Sequence, residues 1–242
     1  MVNFSKYLAV AALGTALTVP FAAQALTVKF EELTGSNATV IVNDGDALDS
    51  ASLPDAVGFS GFVGAFRVSL AGGSSADEDN QSKLRSFALS VKGGGENGQD
   101  GKLRISISDT GYTAGGRAGM PSALAFAING TELGGSLTAS AYVDTGNQLF
   151  GMSDMVGSEL AFMTPASPAD PDLYGDRTSD RAVLPDEFSM TTVITLTQKT
   201  DTSTQFDATQ VAAVPIPAAG LLLLGGLGGL GGLGALKRRK KA

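Results

Sequence analysis

No cysteine, histidine or tryptophan occurs among the 242 residues of this chain. Without cysteine there is no disulfide framework, so a folded body must be held together by buried apolar area, which a chain of this length can supply. Without histidine or cysteine there is no Ser-His-Asp or Cys-His nucleophile system and no imidazole- or thiolate-ligated metal. Only carboxylate, lysine, tyrosine, serine and threonine chemistry is left. A glycosidase-like carboxylate pair is compatible with that list, but with 24 Asp and Glu some pair always falls at a suitable spacing. The chain also has few rings with which to grip a sugar: no Trp, and four Tyr, of which Tyr7 lies near the amino terminus. No enzymatic activity is expected.

The two ends are the most informative segments. Lys6 precedes an apolar stretch over residues 8–19, Pro20 interrupts it, and Ala23-Gln24-Ala25 follows as a small-x-small cleavage pattern. Residues 1–25 read as a signal peptide, with the mature chain starting at Leu26. At the other end, Val214-Pro215-Ile216-Pro217-Ala218 leads into an uncharged run of 19 residues, 218–236. As a helix that run would extend roughly 28 Å, enough for the hydrocarbon core of a bilayer. Lys237, Arg238, Arg239, Lys240 and Lys241 then form a cytoplasmic anchor. Glycine recurs so often between Leu224 and Gly234 that no single helix face is selected for dimerisation. A span that unwinds easily for an intramembrane protease is the better reading.

Between the ends, residues 26–213 read as one domain. Of 17 Lys and Arg, Lys6 lies in the leader and five lie in the tail, so 11 face all 24 Asp and Glu, a net charge of −13. Nucleic acid, whose phosphates need cations, is not an expected partner. Apolar residues alternate with polar ones, most clearly in Leu103-Arg104-Ile105-Ser106-Ile107-Ser108, which is the period of a strand. Similar patterns cover residues 39–42, 62–70, 86–92, 124–128, 136–143, 188–198 and 204–211, giving eight or nine strands. Turn signals stand between them: Asn43-Asp44-Gly45-Asp46, Ala71-Gly72-Gly73-Ser74, the glycines of 93–98, Gly115-Gly116 and Asn129-Gly130. The pattern predicts an all-β, antiparallel β-sandwich, jelly-roll-like or Ig-like, with a short helix over 77–84 and a long exposed loop over 165–185.

Calcium is the one cofactor these residue types admit. Asp44-Gly45-Asp46 with Asp49, and the acidic loop containing Asp170, Asp172, Asp176 and Asp180, are the candidates, although neither has EF-hand spacing and no metal residue is assigned. Asn37-Ala38-Thr39 and Asn129-Gly130-Thr131 match a glycosylation pattern and are given no role.

The proline motif, apolar span and basic end together resemble the PEP-CTERM sorting signals of exported Gram-negative proteins, most nearly the VPLPA-CTERM variant. Ile216 stands where that variant has Leu, and the Glu of the Pro-Glu-Pro form is absent. The resemblance covers about 29 of 242 residues. It implies processing by signal peptidase and then an exosortase, and release or reattachment at the cell surface, in the company of exopolysaccharide. The phrase from Leu103 to Tyr112 and the Thr-rich stretch 190–200 are similar to domains carried ahead of such tails. The expectation is therefore an exported, membrane-held precursor of a non-enzymatic surface or matrix protein. The alternative is an adhesion module that binds glycan or protein through Ca-dependent loops.

Overall fold

The computed structural model describes residues 26–78, 81–94, 99–114, 118–131, 133–163 and 173–213. The signal segment with Ala23 and Ala25, the sorting motif Val214–Ala218, the apolar span and the basic end lie outside these residues. No helix among the described residues is long and apolar enough to cross a membrane.

Among the described residues thirteen strands form: β1 (Thr27–Glu32), β2 (Thr39–Asn43), β3 (Ala56–Val63), β4 (Phe66–Glu78), β5 (Gln81–Gly93), β6 (Gly101–Thr113), β7 (Pro121–Thr131), β8 (Gly135–Asp144), β9 (Asp154–Met155), β10 (Leu160–Met163), β11 (Tyr174–Val183), β12 (Glu187–Gln198) and β13 (Ser203–Ala213). They make two antiparallel sheets. The first has the order β10-β8-β12-β6-β1-β2, with β9 also on β8, and the second has the order β11-β7-β13-β5-β4-β3. Two interlocked sets, β10-β8-β12-β6 and β11-β7-β13-β5, give the winding of a jelly roll, which β1 to β4 extend. The sandwich is thus of the jelly-roll kind and not Ig-like.

Period-two alternation builds the core. Val28 and Phe30 of β1, Leu103 and Ile105 of β6, Leu137 and Val143 of β8, and Ile194 and Leu196 of β12 turn inward from the first sheet. From the second come Phe66, Val68, Leu89, Val91, Phe126, Ile128 and Phe206, and all belong to one continuous apolar cluster. Phe30 stacks on Phe59 at 5.1 Å between ring centroids. Two buried amides tie the sheets together. Gln210 donates from Nε2 to the Tyr142 carbonyl at 2.8 Å, and Gln198 donates from Nε2 to the Val91 carbonyl at 3.1 Å.

Several expected boundaries move. Residues 62–70 are not one strand: Gly64, at φ +56°, turns the chain between β3 and β4, so Phe62 faces solvent while Phe66, Val68 and Leu70 face inward. The described residues of 77–84 form no helix: Asp77 and Glu78 end β4 and Gln81 to Leu84 begin β5, with Asp77 paired with Ser82. Ala71-Gly72-Gly73-Ser74 and Asn129-Gly130 are not turns but sit within β4 and β7: Gly73, Ser74, Asn129 and Gly130 are paired on both sides, and Gly72 pairs with Phe87 of β5. The second half of the expected 165–185 loop is β11, an edge strand. Its lack of apolar alternation follows from its exposure on most sides.

A single buried carboxylate holds the β1–β2 and β3–β4 turns together. Glu32, 4 % exposed, accepts hydrogen bonds from the Ser36 hydroxyl, from Ser36 N at 3.0 Å and from Ala65 N at 3.1 Å. Burial alone would raise its carboxyl, but these donors hold it below its ordinary 4.5. A side chain at Gly64 would overlap this carboxylate. Glu32→Ala orphans these donors and is expected to lower the unfolding free energy by about 3 kcal/mol at pH 7, measured by urea denaturation. Because the folded value is depressed, the stabilisation exists above pH 4.5 and is lost as pH falls through the folded value. The gap between variant and native protein should therefore close on acidification.

Candidate functional site

The outer face of the first sheet carries the side chains that alternate with the core rows. Register places them in three lines across β2, β1, β6, β12 and β8. One line is Asn43, Thr27, Ser108, Thr191 and Tyr142; the next is Ile41, Lys29, Ser106, Val193 and Ser140; the third is Thr39, Glu31, Arg104, Thr195 and Thr138. Threonine suits both roles here, since its branched Cβ favours the strand and its hydroxyl can donate and accept.

The segment that leaves β8 folds back over one end of this face. Asp144 starts it by accepting Gln148 N at 2.9 Å through Oδ2, and Gly151 fits because a Cβ there would press on the Asp144 carboxylate. Asn147 Oδ1 accepts Gly111 N at 2.8 Å, and Ser189 Oγ donates to the Gln148 carbonyl at 2.7 Å. Phe150 N donates to Ser108 Oγ at 2.9 Å, which buries Ser108 and Thr191 completely beneath the cap. Phe150 itself has φ +58°, a conformation that bulky residues rarely adopt. That strain places its ring 5.0 Å from Lys29 Nζ.

What stays open is a groove of about 320 Å³. Its floor is Ser106, Ser140, Val193, Thr195 and Thr138; Phe150, Met152 and Glu159 of the returning segment form one side, with Tyr142 at the foot of the cap. Lys29 and Glu31 pair at 3.3 Å, and Glu159 Oε2 lies 3.4 Å from Ser140 Oγ. Arg104 is exposed and has no ion-pair or hydrogen-bond partner among the described residues. The groove therefore offers hydroxyl donors and acceptors, a free guanidinium fork and aromatic edges in one place.

The sequence-derived candidates lie elsewhere. Asp46 Oδ2 accepts from Asn43 Nδ2 at 2.6 Å, Asp49 accepts from Gly45, Ala51 and Gly58 N at 2.8–3.0 Å, and Asp44 accepts from Asp55 N at 2.8 Å. These carboxylates shape their own loop. Asp176 and Asp180 stand four residues apart on β11, while Asp170 and Asp172 fall outside the described residues. No group of three acidic side chains among the described residues is placed to hold a metal ion. Residues 104 and 106 were visible as the polar positions of the clearest strand, but the cap at 145–159 gave no sequence signal of its own.

A second carboxylate stands out at the opposite end of β6. Asp109, 5 % exposed, is pushed up to about 6 chiefly by burial, against hydrogen bonds from Ser75 and Thr110 N, with Asp55 and Asp44 adding repulsion.

No protein-family model matches the chain, and no curated protein does. Among solved structures, the adhesin domain of Lys-gingipain from Porphyromonas gingivalis W83 aligns at TM-score 0.31 and 9 % identity, covering 65 % of this chain and 98 % of that one. The C-terminal family 22 carbohydrate-binding module of Clostridium thermocellum Xyn10B aligns at 0.29 and 12 %, covering 64 % and 89 %. A mannan-recognising module, TmCBM27, aligns at 0.27 and 13 %, covering 60 % and 88 %. All three TM-scores lie below 0.5, so what these proteins bind carries no weight for this chain.

The raised Asp109 has a signed consequence. With a folded value near 6 and an ordinary value of 3.8, its contribution to stability is greatest below pH 3.8 and is lost as pH rises through 6. Asp109→Asn is expected to raise the unfolding free energy by about 2–3 kcal/mol at pH 7.5 and by little at pH 4, read from denaturation curves at the two pH values.

Proposed function

We propose that the chain is a non-enzymatic, exported glycan-binding module whose site is the groove on the first sheet. The observation that carries this reading is the meeting of unpaired Arg104 with rows of serine and threonine hydroxyls beside Tyr142 and Phe150. A sugar presents adjacent hydroxyls and an apolar C–H face. The guanidinium fork and the strand hydroxyls meet the first, and the rings meet the second. A rigid sheet floor loses little entropy when it orders a polyol, which favours recognition without a closing lid. The carboxylates of Asp44, Asp46 and Asp49 are already engaged by hydrogen bonds within their own loop, so the reading gives them no part.

Display at the surface follows from the tail: the proline motif presents an extended segment to an exosortase outside the membrane while the span and basic end hold the precursor. Support for this part comes from residues 214–242 of the sequence, not from the fold. The intact mass of protein recovered from cells tests it, with loss of both the leader and the apolar span expected.

For the groove, Tyr142→Ala and Arg104→Ala are each expected to weaken binding of the best neutral polysaccharide in a panel by about tenfold, with melting temperature little changed. Unaltered affinity in both variants would move the site elsewhere. Absence of binding to every polysaccharide would remove the reading.

A further inference from the structure

The opposite face of the sandwich carries an unusual share of positive charge. Register and alternation put Arg67 of β4, Lys83, Arg85 and Lys92 of β5, and Arg177 and Arg181 of β11 on the outer side of the second sheet. These are six of the 11 Lys and Arg in a body of net charge −13. Among the described side chains in these strands, Asp207 is the acid that shares the face, and its Oδ1 already accepts Ala88 N. Asp176 and Asp180 alternate with the two β11 arginines and point to the other side. No described carboxylate forms an ion pair with Arg67, Arg85, Lys92, Arg177 or Arg181.

Arg177 lines a trough in this face, and Arg85 stands across the sheet from it. Arg85 and Arg177 lie on one line across the sheet with only Thr209 and Ala127 between them, about 14 Å apart at three strand spacings. On the next lines Val211, Ala125 and Ala123 keep the floor low. The resulting depression has a volume of about 550 Å³. At the far side of the sheet Arg67 is directly opposite Lys92. Like charges in facing positions destabilise a sheet, and here no described carboxylate lies between them to compensate.

We infer that this second face is a docking surface for a linear anionic polysaccharide that bears one carboxylate per sugar, lying across the trough between β5 and β11. Same-face cations two residues apart along a strand, such as Lys83 and Arg85, are about 7 Å from each other, a spacing suited to charges separated by a sugar ring. Duplex DNA, with one charge per roughly 1.7 Å, meets stronger repulsion from the acidic body, and the one ring among the described residues lining the trough, Phe126, is fully buried and cannot stack on a base. The inference goes beyond the groove reading and does not depend on it, since it rests on the charge of the other sheet.

Alginate serves as the probe, with the full chain at low salt. The native protein is expected to bind it, to lose affinity as salt rises, and to melt at higher temperature in its presence. A variant carrying Arg67→Ser, Lys92→Ser, Arg177→Ser and Arg181→Ser should bind at least about tenfold more weakly, whereas Tyr142→Ala should bind alginate as the native chain does. Both proteins keep the basic tail, so their difference reports the face alone. Relief of the Arg67–Lys92 repulsion predicts that the variant melts no lower than the native chain without ligand, which separates lost binding from lost folding. No alginate binding by the native chain, equal binding by the variant, or tighter binding of duplex DNA would overturn the inference. Alginate binding with no neutral-glycan binding would leave it standing and remove the groove reading.

Discussion

The burial of two sheets against each other is the interaction on which everything else in this molecule rests. With no disulfide available and no helix among the described residues, Phe30, Ile105 and Ile194 on one side and Phe66, Leu89 and Phe126 on the other must provide the cohesion. Their burial is non-directional, so it cannot by itself fix how one sheet sits on the other. The directional ties are Gln210 to the Tyr142 carbonyl and Gln198 to the Val91 carbonyl, both inside the core. A buried amide out of register would lose its partner at full desolvation cost, so these two residues penalise sliding of the sheets.

Because the inner rows do all the cohesive work, the outer rows are free to be chemical. On the first sheet the outer rows are hydroxyl-rich, and the segment from 145 to 159 converts an otherwise open surface into a groove. It does so by spending backbone strain at Phe150, which Ser108 repays through a hydrogen bond from beneath. On the second sheet the outer rows are cationic around small residues. The two faces point away from each other, so a chain held on one leaves the other accessible. If both proposed faces hold glycan, one domain would bridge two polymer strands.

Much of the fold was legible in the sequence because alternation is a local property. Strands around 39–43, 101–113, 135–144, 187–198 and 203–213 each show it, and each is where the pattern places it. The errors have a common cause. Gly72-Gly73 and Asn129-Gly130 have turn chemistry, but neighbouring strands pair with them, on both sides for Gly73, Asn129 and Gly130, and the sheet overrides the preference. Asp77, Glu78 and residues 81–84 have no strong strand pattern, yet pairing between β4 and β5 decides their state. β11 was unreadable because an exposed edge strand needs no apolar side, and Asp176 and Arg177 suit such an edge by discouraging further pairing.

The candidate sites were less legible than the fold. The sequence by itself determined which residues are polar at alternate strand positions and that no thiolate or imidazole chemistry is available. It could not determine that Lys29, Arg104, Thr195 and Ser140 come from four different strands to one floor, nor that Arg67, Arg85 and Arg177 share the opposite face. Those adjacencies depend on strand order and register between residues as far apart as Lys29 and Thr195, and only the tertiary pairing of β1 with β6, β6 with β12 and β12 with β8, and of β4, β5, β13, β7 and β11 in the second sheet, sets them. Side-chain alternation is written locally along the chain; which alternations face each other is settled only when the two sheets close over their common core.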